Sequence, residues 1–99
     1  MTYKLSNEAN EDIENIWYYT FINWSLVQAD RYINLIFEEI EFLSTHPNSG
    51  KDYSFFKKNY RCSKVKSHLI FFKNSDNMNE IEIIRILHQN MDIVNRLRD

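Results

Sequence analysis

Three features of the sequence predict an α+β fold, an N-terminal antiparallel helical hairpin packed on a small antiparallel β-sheet. Apolar residues recur at three- and four-residue spacings from Ile13 to Leu43, interrupted once by a short link around Ser25. Between Tyr60 and Leu87 lie three short runs rich in β-branched and aromatic side chains. One Gly and one Pro in 99 residues leave little turn chemistry for a sandwich or barrel. At 12.1 kDa the chain reads as one domain, residues 1–99, because a second core would leave each half too small to stand alone.

The elements follow in order. Tyr3-Lys4-Leu5 is expected as an edge strand of the antiparallel sheet. Ser6 can cap the first helix, with Glu8, Glu11 and Asp12 in its opening turns, where the helix dipole favours acids. Its stripe is Ile13, Ile16, Trp17, Thr20, Phe21 and Trp24. Ser25 with Gln28 three residues on is a capping-box signature for the second helix, striped by Ala29, Tyr32, Ile33, Ile36, Phe37, Ile40 and Leu43. His46-Pro47 ends it, and Asn48-Ser49-Gly50 opens a loop. Tyr60–Val65, His68–Lys73 and Glu80–Leu87 then form a meander, joined by Lys66-Ser67 and by a polar turn, Asn74–Asn79. Met91, Val94 and Leu97 mark a short final helix in the tail Gln89–Asp99. Ile16, Trp17, Ile33, Ile36, Phe37, Ile70, Phe72, Ile84 and Ile86 should be largely buried, and Trp24, Phe55 and Phe56 are expected mostly in the core.

Composition limits the function classes. No apolar run approaches the ~20 residues of a membrane span, and the N-terminus lacks the apolar stretch of a signal peptide. Together with a single cysteine, Cys62, this leads to the expectation of a soluble cytoplasmic domain without membrane partners. Cys62 reads as a buried strand cysteine rather than a nucleophile. His46, His68, His88 and Cys62 lack the paired spacings of a zinc site, and no Gly-rich phosphate loop exists. No metal and no cofactor are expected.

Charge is distributed unevenly. Residues 1–50 hold two cations against eight acids, a balance of −6, while residues 51–99 hold ten against six, a balance of +4. Lys57, Lys58, Arg61, Lys64 and Lys66 crowd five cations into ten residues with no acid among them, which favours an anionic partner for one face. Strict alternation places Arg61 with Ser63 and Val65, and Arg85 with Ile81, Ile83 and Leu87. An arginine on so apolar a strand is either paired with an acid of the helical half or functional, since a buried unpaired charge is costly.

The segments Tyr3-Lys4-Leu5-Ser6 with Ala9, Asp12 and Ile16; Trp24 with Gln28-Ala29 and Tyr32; His46-Pro47 with Gly50; Tyr60-Arg61; Ser67-His68 with Phe71-Phe72; and Ile84-Arg85-Ile86-Leu87-His88 with Met91-Asp92 occur in family order and spacing. On these residues the chain resembles the ParE-type toxins of the RelE/ParE superfamily, from bacterial type II toxin–antitoxin modules. Asn59 stands where that family usually has Gly, and Asn tolerates the left-handed backbone better than most residues.

The resemblance implies the same fold and a growth-inhibiting toxin neutralised by a ParD-like antitoxin. It further implies DNA gyrase as the target, inhibited by binding without catalysis. The runner-up is a ribosome-dependent mRNA endonuclease of RelE type, for which Arg61, Arg85 and His88 would be the partial catalytic set; no Tyr follows Tyr60 to complete it. A third reading is an inactive relic that only binds antitoxin. Lys57, Lys58, Arg61, Lys64 and Lys66 are the expected antitoxin-binding or functional basic face, and direct contact with nucleic acid is left open.

Overall fold

The structure is a computed structural model and describes residues 2–76 and 79–98. Its elements are β1 (Thr2–Leu5), α1 (Asn7–Asn23), α2 (Leu26–Thr45), β2 (Lys51–Asp52), β3 (Arg61–Val65), β4 (His68–Asn74), β5 (Glu80–His88) and α3 (Ile93–Leu97). Ser6 caps α1 by accepting from the Ala9 N–H at 3.0 Å, and Ser25 caps α2 by accepting from Gln28 N–H at 3.1 Å. Only Trp24 and Ser25 separate the helices, so they form the expected hairpin. The β4–β5 turn keeps its place, but Asn77 and Met78 of the expected turn, and Asp99 of the expected tail helix, lie outside the described residues.

The five strands are ordered β1-β5-β4-β3-β2. The β3–β4–β5 meander is antiparallel as predicted, and the two-residue β2 extends it beside β3. β1 departs from the prediction: it pairs with β5 in parallel, Thr2 opposite Glu80 and Leu5 opposite Ile83. Alternation of side chains encodes the faces of a strand but not its direction. Direction is set instead where β1 runs into α1: the Ser6 N–H donates to Ile83 O at 3.0 Å and the Ser6 hydroxyl to Ile84 O at 2.7 Å.

Both helices cover one face of the sheet. Ala9, Ile16, Ile36, Ile40 and Leu43 meet Ile70, Phe72, Ile81, Ile83 and Ile86 there in the main core. The opposite face carries a second cluster of Tyr60, Cys62, Phe71, Leu87 and Leu97, flanked by Tyr53, Phe56, Ile84 and Ile93. Thus Trp17, Ile33, Phe37 and Ile84 are half-buried rather than fully enclosed, and Ile84 belongs to the second cluster.

A bulge explains why alternation misplaced part of β5. Phe71 pairs with Arg85 but Phe72 pairs with Ile83, so Ile84 is an extra residue on β5. The phase of alternation slips there: Ile81, Ile83 and Ile86 face the helices, whereas Leu87 falls on the far side, not with Ile81 and Ile83 as predicted. In α3 the buried stripe is Ile93 and Leu97; Met91 and Val94 are exposed, because one helical turn places residues four apart together on the sheet. Trp24 and Phe55 also depart from the core expectation, with 74% and 76% of their surface exposed. Trp24 is the C-cap residue of α1, in the turn between the two helices.

Candidate functional site

Arg85 is the better anchored of the two strand arginines. Its guanidinium grips Asp12 of α1 with two bonds, Nε to Oδ2 at 2.9 Å and Nη2 to Oδ1 at 3.0 Å. A third donor reaches the Arg96 carbonyl of α3 at 3.1 Å. β1 ends opposite Ile83, so past that point the β5 edge would expose its N–H groups; Asp12 Oδ2 accepts the Ile86 N–H at 2.9 Å and closes it. The pairing is the structural ion pair with an acid of the helical half.

Arg61 is likewise engaged, with three backbone carbonyls of the loop after α2. Nε donates to Ser49 O at 2.9 Å, and Nη2 to Asn48 O at 2.7 Å and Gly50 O at 3.0 Å. The loop approaches β3 so closely that a Cβ on Gly50 would lie 2.5 Å from Cys62 O, and Gly50 has φ +79°. Cys62 is buried beneath, which pushes its thiol up to about 11 and leaves it inert as a nucleophile.

His88 is the last residue of β5, paired across the sheet with His68. Their rings meet edge to face at 5.2 Å. His88 Nδ1 accepts the Asn90 N–H at 3.1 Å. Burial, reinforced by His88 and opposed by Asp12, pushes His68 down to about 4. Burial also raises Tyr32, and the Tyr32 hydroxyl shares a hydrogen bond with His68 Nδ1 at 2.6 Å. The two imidazoles, with Ile16, Tyr19, Thr20 and Met91, line a cavity of about 540 Å³ where α1 meets the end of β5. Arg61, Arg85 and His88 are thus held by three different local networks. The Tyr32–His68 pair was missed because Tyr32 falls on the apolar stripe of α2.

The basic stretch is spread over more than one surface. Lys64 and Lys66 border a groove on the helix side, formed with Leu35, Glu38, Glu39 and Phe42 of α2 and enclosing about 340 Å³. Ser63, just inside it, donates a short hydrogen bond to the Glu39 carboxylate. Lys57 and Lys58 lie instead on the 53–60 loop, whose rings pack on the far face. Among the described residues the ion pairs are Arg85–Asp12 and Lys73–Glu82, so none of these four lysines is in one.

The hairpin tip is a further surface that periodicity hid. Tyr18, Tyr19, Phe21, Ile22, Trp24, Leu26 and Val27 are all exposed. The available signal was the absence of any charged residue from Asn15 to Ala29, which makes the end of the hairpin apolar on every side.

The family model described as the ParE toxin of type II toxin–antitoxin system, parDE, matches residues 3–93. The chain belongs to the ParE toxin family. This ParE family member is 33% identical over 90 residues to Toxin ParE1 of Caulobacter vibrioides, covering 91% of each chain. It is 30% identical over 91 residues to Toxin ParE1 of Mycobacterium tuberculosis, covering 92% of each. Toxin ParE of Escherichia coli is 30% identical over 97 residues, 98% of this chain and 93% of that one. A chain from the structure of the chromosomal ParDE system of P. aeruginosa has the same fold, with a TM-score of 0.75 at 18% identity over 89% of this chain and 95% of that one. The ParE assignment therefore rests on nearly the whole chain, including both helices and the meander. No helix among its described residues is long and apolar enough to cross a membrane.

Proposed function

We propose that this toxin of a type II system inhibits growth by binding and poisoning DNA gyrase, without catalysis of its own. The observation that supports a binding mechanism most is the commitment of both strand arginines. A phosphodiester cleavage site needs cations free to meet charge developing on phosphate. Arg61 donates to three loop carbonyls, and Arg85 holds Asp12 and the Arg96 carbonyl. Purified toxin with gyrase and plasmid DNA tests the proposal directly: lost supercoiling or accumulated cleaved DNA is expected, and an unaffected gyrase overturns it.

A ribosome-dependent endonuclease is the second reading, and the specific observation in its favour is the cavity beside His68 and His88. There the His88 imidazole borders an open space in which general acid–base chemistry would be feasible. Cut message on translating ribosomes, with gyrase untouched, selects that reading. Inactivity in both assays selects the relic that only binds antitoxin.

For the antitoxin, the groove between α2 and β3 offers the best fit. Leu35, Phe42 and Val65 supply an apolar floor, with Lys64 and Lys66 on the β3 side and Glu38 and Glu39 on the α2 side. An amphipathic helix from a ParD-like tail would seat apolar anchors between α2 and β3 and bring its acids to the two lysines. Such tails fold on binding and cover much surface at moderate affinity per unit area.

A further inference from the structure

Phe55 is the most exposed large apolar side chain of the described residues, and the loop around it is firmly held. Asp52 accepts the Ser54 N–H at 2.8 Å, and the Tyr53 N–H donates to Tyr60 O at 2.9 Å. The Phe56 N–H donates to Tyr53 O at 3.0 Å and the Tyr60 N–H to Lys57 O at 3.1 Å. Asn59, at φ 68°, turns the chain back into β3. Tyr53, Phe56 and Tyr60 are packed into the far-face cluster. Phe55 alone among these rings is presented to solvent, with its centroid 4.7 Å from that of Tyr53. A loop that packs three rings against the sheet and displays the fourth forms an aromatic platform.

The chain that follows the platform carries only cations. From Tyr53 to Ser75 there is no acid, and Lys57 and Lys58 follow Phe55 within three residues. Lys57 Nζ lies 5.7 Å from the Tyr60 ring centroid, so this cation is steadied by an aromatic face rather than by a carboxylate. Of the nearby acids, Asp52 caps Ser54 and Glu82 is paired with Lys73. A purely acidic peptide, without apolar side chains, would use the lysines but not the ring. An apolar protein surface would use the ring but leave two ammonium groups to be desolvated. A strand of unpaired nucleotides uses both, stacking a base on the ring and placing phosphates at the cations.

We propose that the 53–60 loop is a binding site for single-stranded nucleic acid, with Phe55 as the stacking ring and Lys57 and Lys58 as phosphate contacts. The loop is anchored through Tyr53, Phe56 and Tyr60 on the sheet face opposite the helices, apart from the groove proposed for the antitoxin. Two phosphate contacts predict modest affinity with a log–log salt slope of about −1.4.

The test is fluorescence anisotropy with labelled twelve-nucleotide oligo-dT and oligo-U at 50 and 200 mM salt. Saturable binding that weakens with salt is expected, and preference for one oligomer distinguishes DNA from RNA as the source of the strand. Phe55→Ala should weaken binding about tenfold, within the range of one lost base–aromatic stack, while Phe55→Trp restores it. Lys57→Glu with Lys58→Glu should abolish it. Phe55 and both lysines are exposed, so these variants should fold, and unchanged melting confirms it. Three results overturn the proposal: no saturable binding at 50 mM salt, equal binding by wild type and Phe55→Ala, or equally tight binding of duplex DNA or polyglutamate.

Discussion

Asp12 and Arg85, 73 residues apart in sequence, hold α1 to the last strand through a two-pronged ion pair that also seals the end of the sheet. Both side chains are largely enclosed, 11% and 18% exposed. Removing one partner leaves the other charge buried without compensation. Asp12→Ala or Arg85→Ala should therefore cost about 3–5 kcal/mol, read by chemical denaturation. The double variant should cost clearly less than the two singles combined, a coupling that a double-mutant cycle measures. Additive costs would show that the two residues stabilise the fold independently.

The His68 environment predicts a pH dependence with a definite sign. Tyr32 from α2, His88 from β5 and Asp12 from α1 are the titratable groups that act on it. In the unfolded chain His68 takes up a proton near pH 6.5, whereas the folded protein resists it until about pH 4. Unfolded protein thus binds more protons in that interval, so stability falls as pH drops from about 6.5 towards 4. His68→Gln, which can still accept from Tyr32, should flatten this slope in thermal melts. A slope unchanged in the variant would place its origin in other groups.

Gly50 should tolerate no side chain. A Cβ there meets a backbone carbonyl that is itself fixed in β3, and the positive φ adds strain. Gly50→Ala should destabilise by about 1–3 kcal/mol in thermal or urea unfolding. The same substitution disturbs the carbonyl that Arg61 grips, so Arg61→Ala in the Gly50→Ala background should add less than it does alone.

Toxicity, if it arises from gyrase binding, should survive loss of the candidate acid–base group. His88→Gln keeps a side chain able to hydrogen-bond but cannot titrate, and should leave growth inhibition largely intact in a folded protein. Loss of toxicity together with ribosome-dependent cleavage by the parent would favour the nuclease.

Antitoxin association should separate into charge and contact. Lys64→Glu with Lys66→Glu should slow association and reduce its salt dependence, because rim charges act mainly on encounter. Phe42→Ala should act chiefly on dissociation, since buried anchors hold a complex together. Stopped-flow kinetics at two salt concentrations distinguish these effects. An unchanged on-rate for the lysine variant would move the antitoxin away from this groove.

Much of this architecture was legible because it is written in local patterns. Ser6 and Ser25 announced their caps, and the α2 stripe announced which residues the sheet would cover. What was illegible depends on partners distant in sequence. The direction of β1 is fixed by Ser6 meeting Ile83 and Ile84, and the faces of β5 by one inserted residue, Ile84. The candidate site was readable as a composition of cations and histidines but not as an arrangement. Arg61 looked available until its three carbonyl acceptors appeared, and Phe55 looked like core until the loop turned it outward.

The parallel pairing of β1 with β5 also governs when this protein can become itself. The first strand finds its ladder only after residues 80–83 have been synthesised, so no ribosome-bound fragment short of that point can complete the sheet. Closing so wide a loop is entropically slow relative to forming the hairpin or the meander. The edge that joins first to last is thus among the last parts of the sheet that can form, and until then Glu80–Ile83 lack the partner that covers the outer edge of β5.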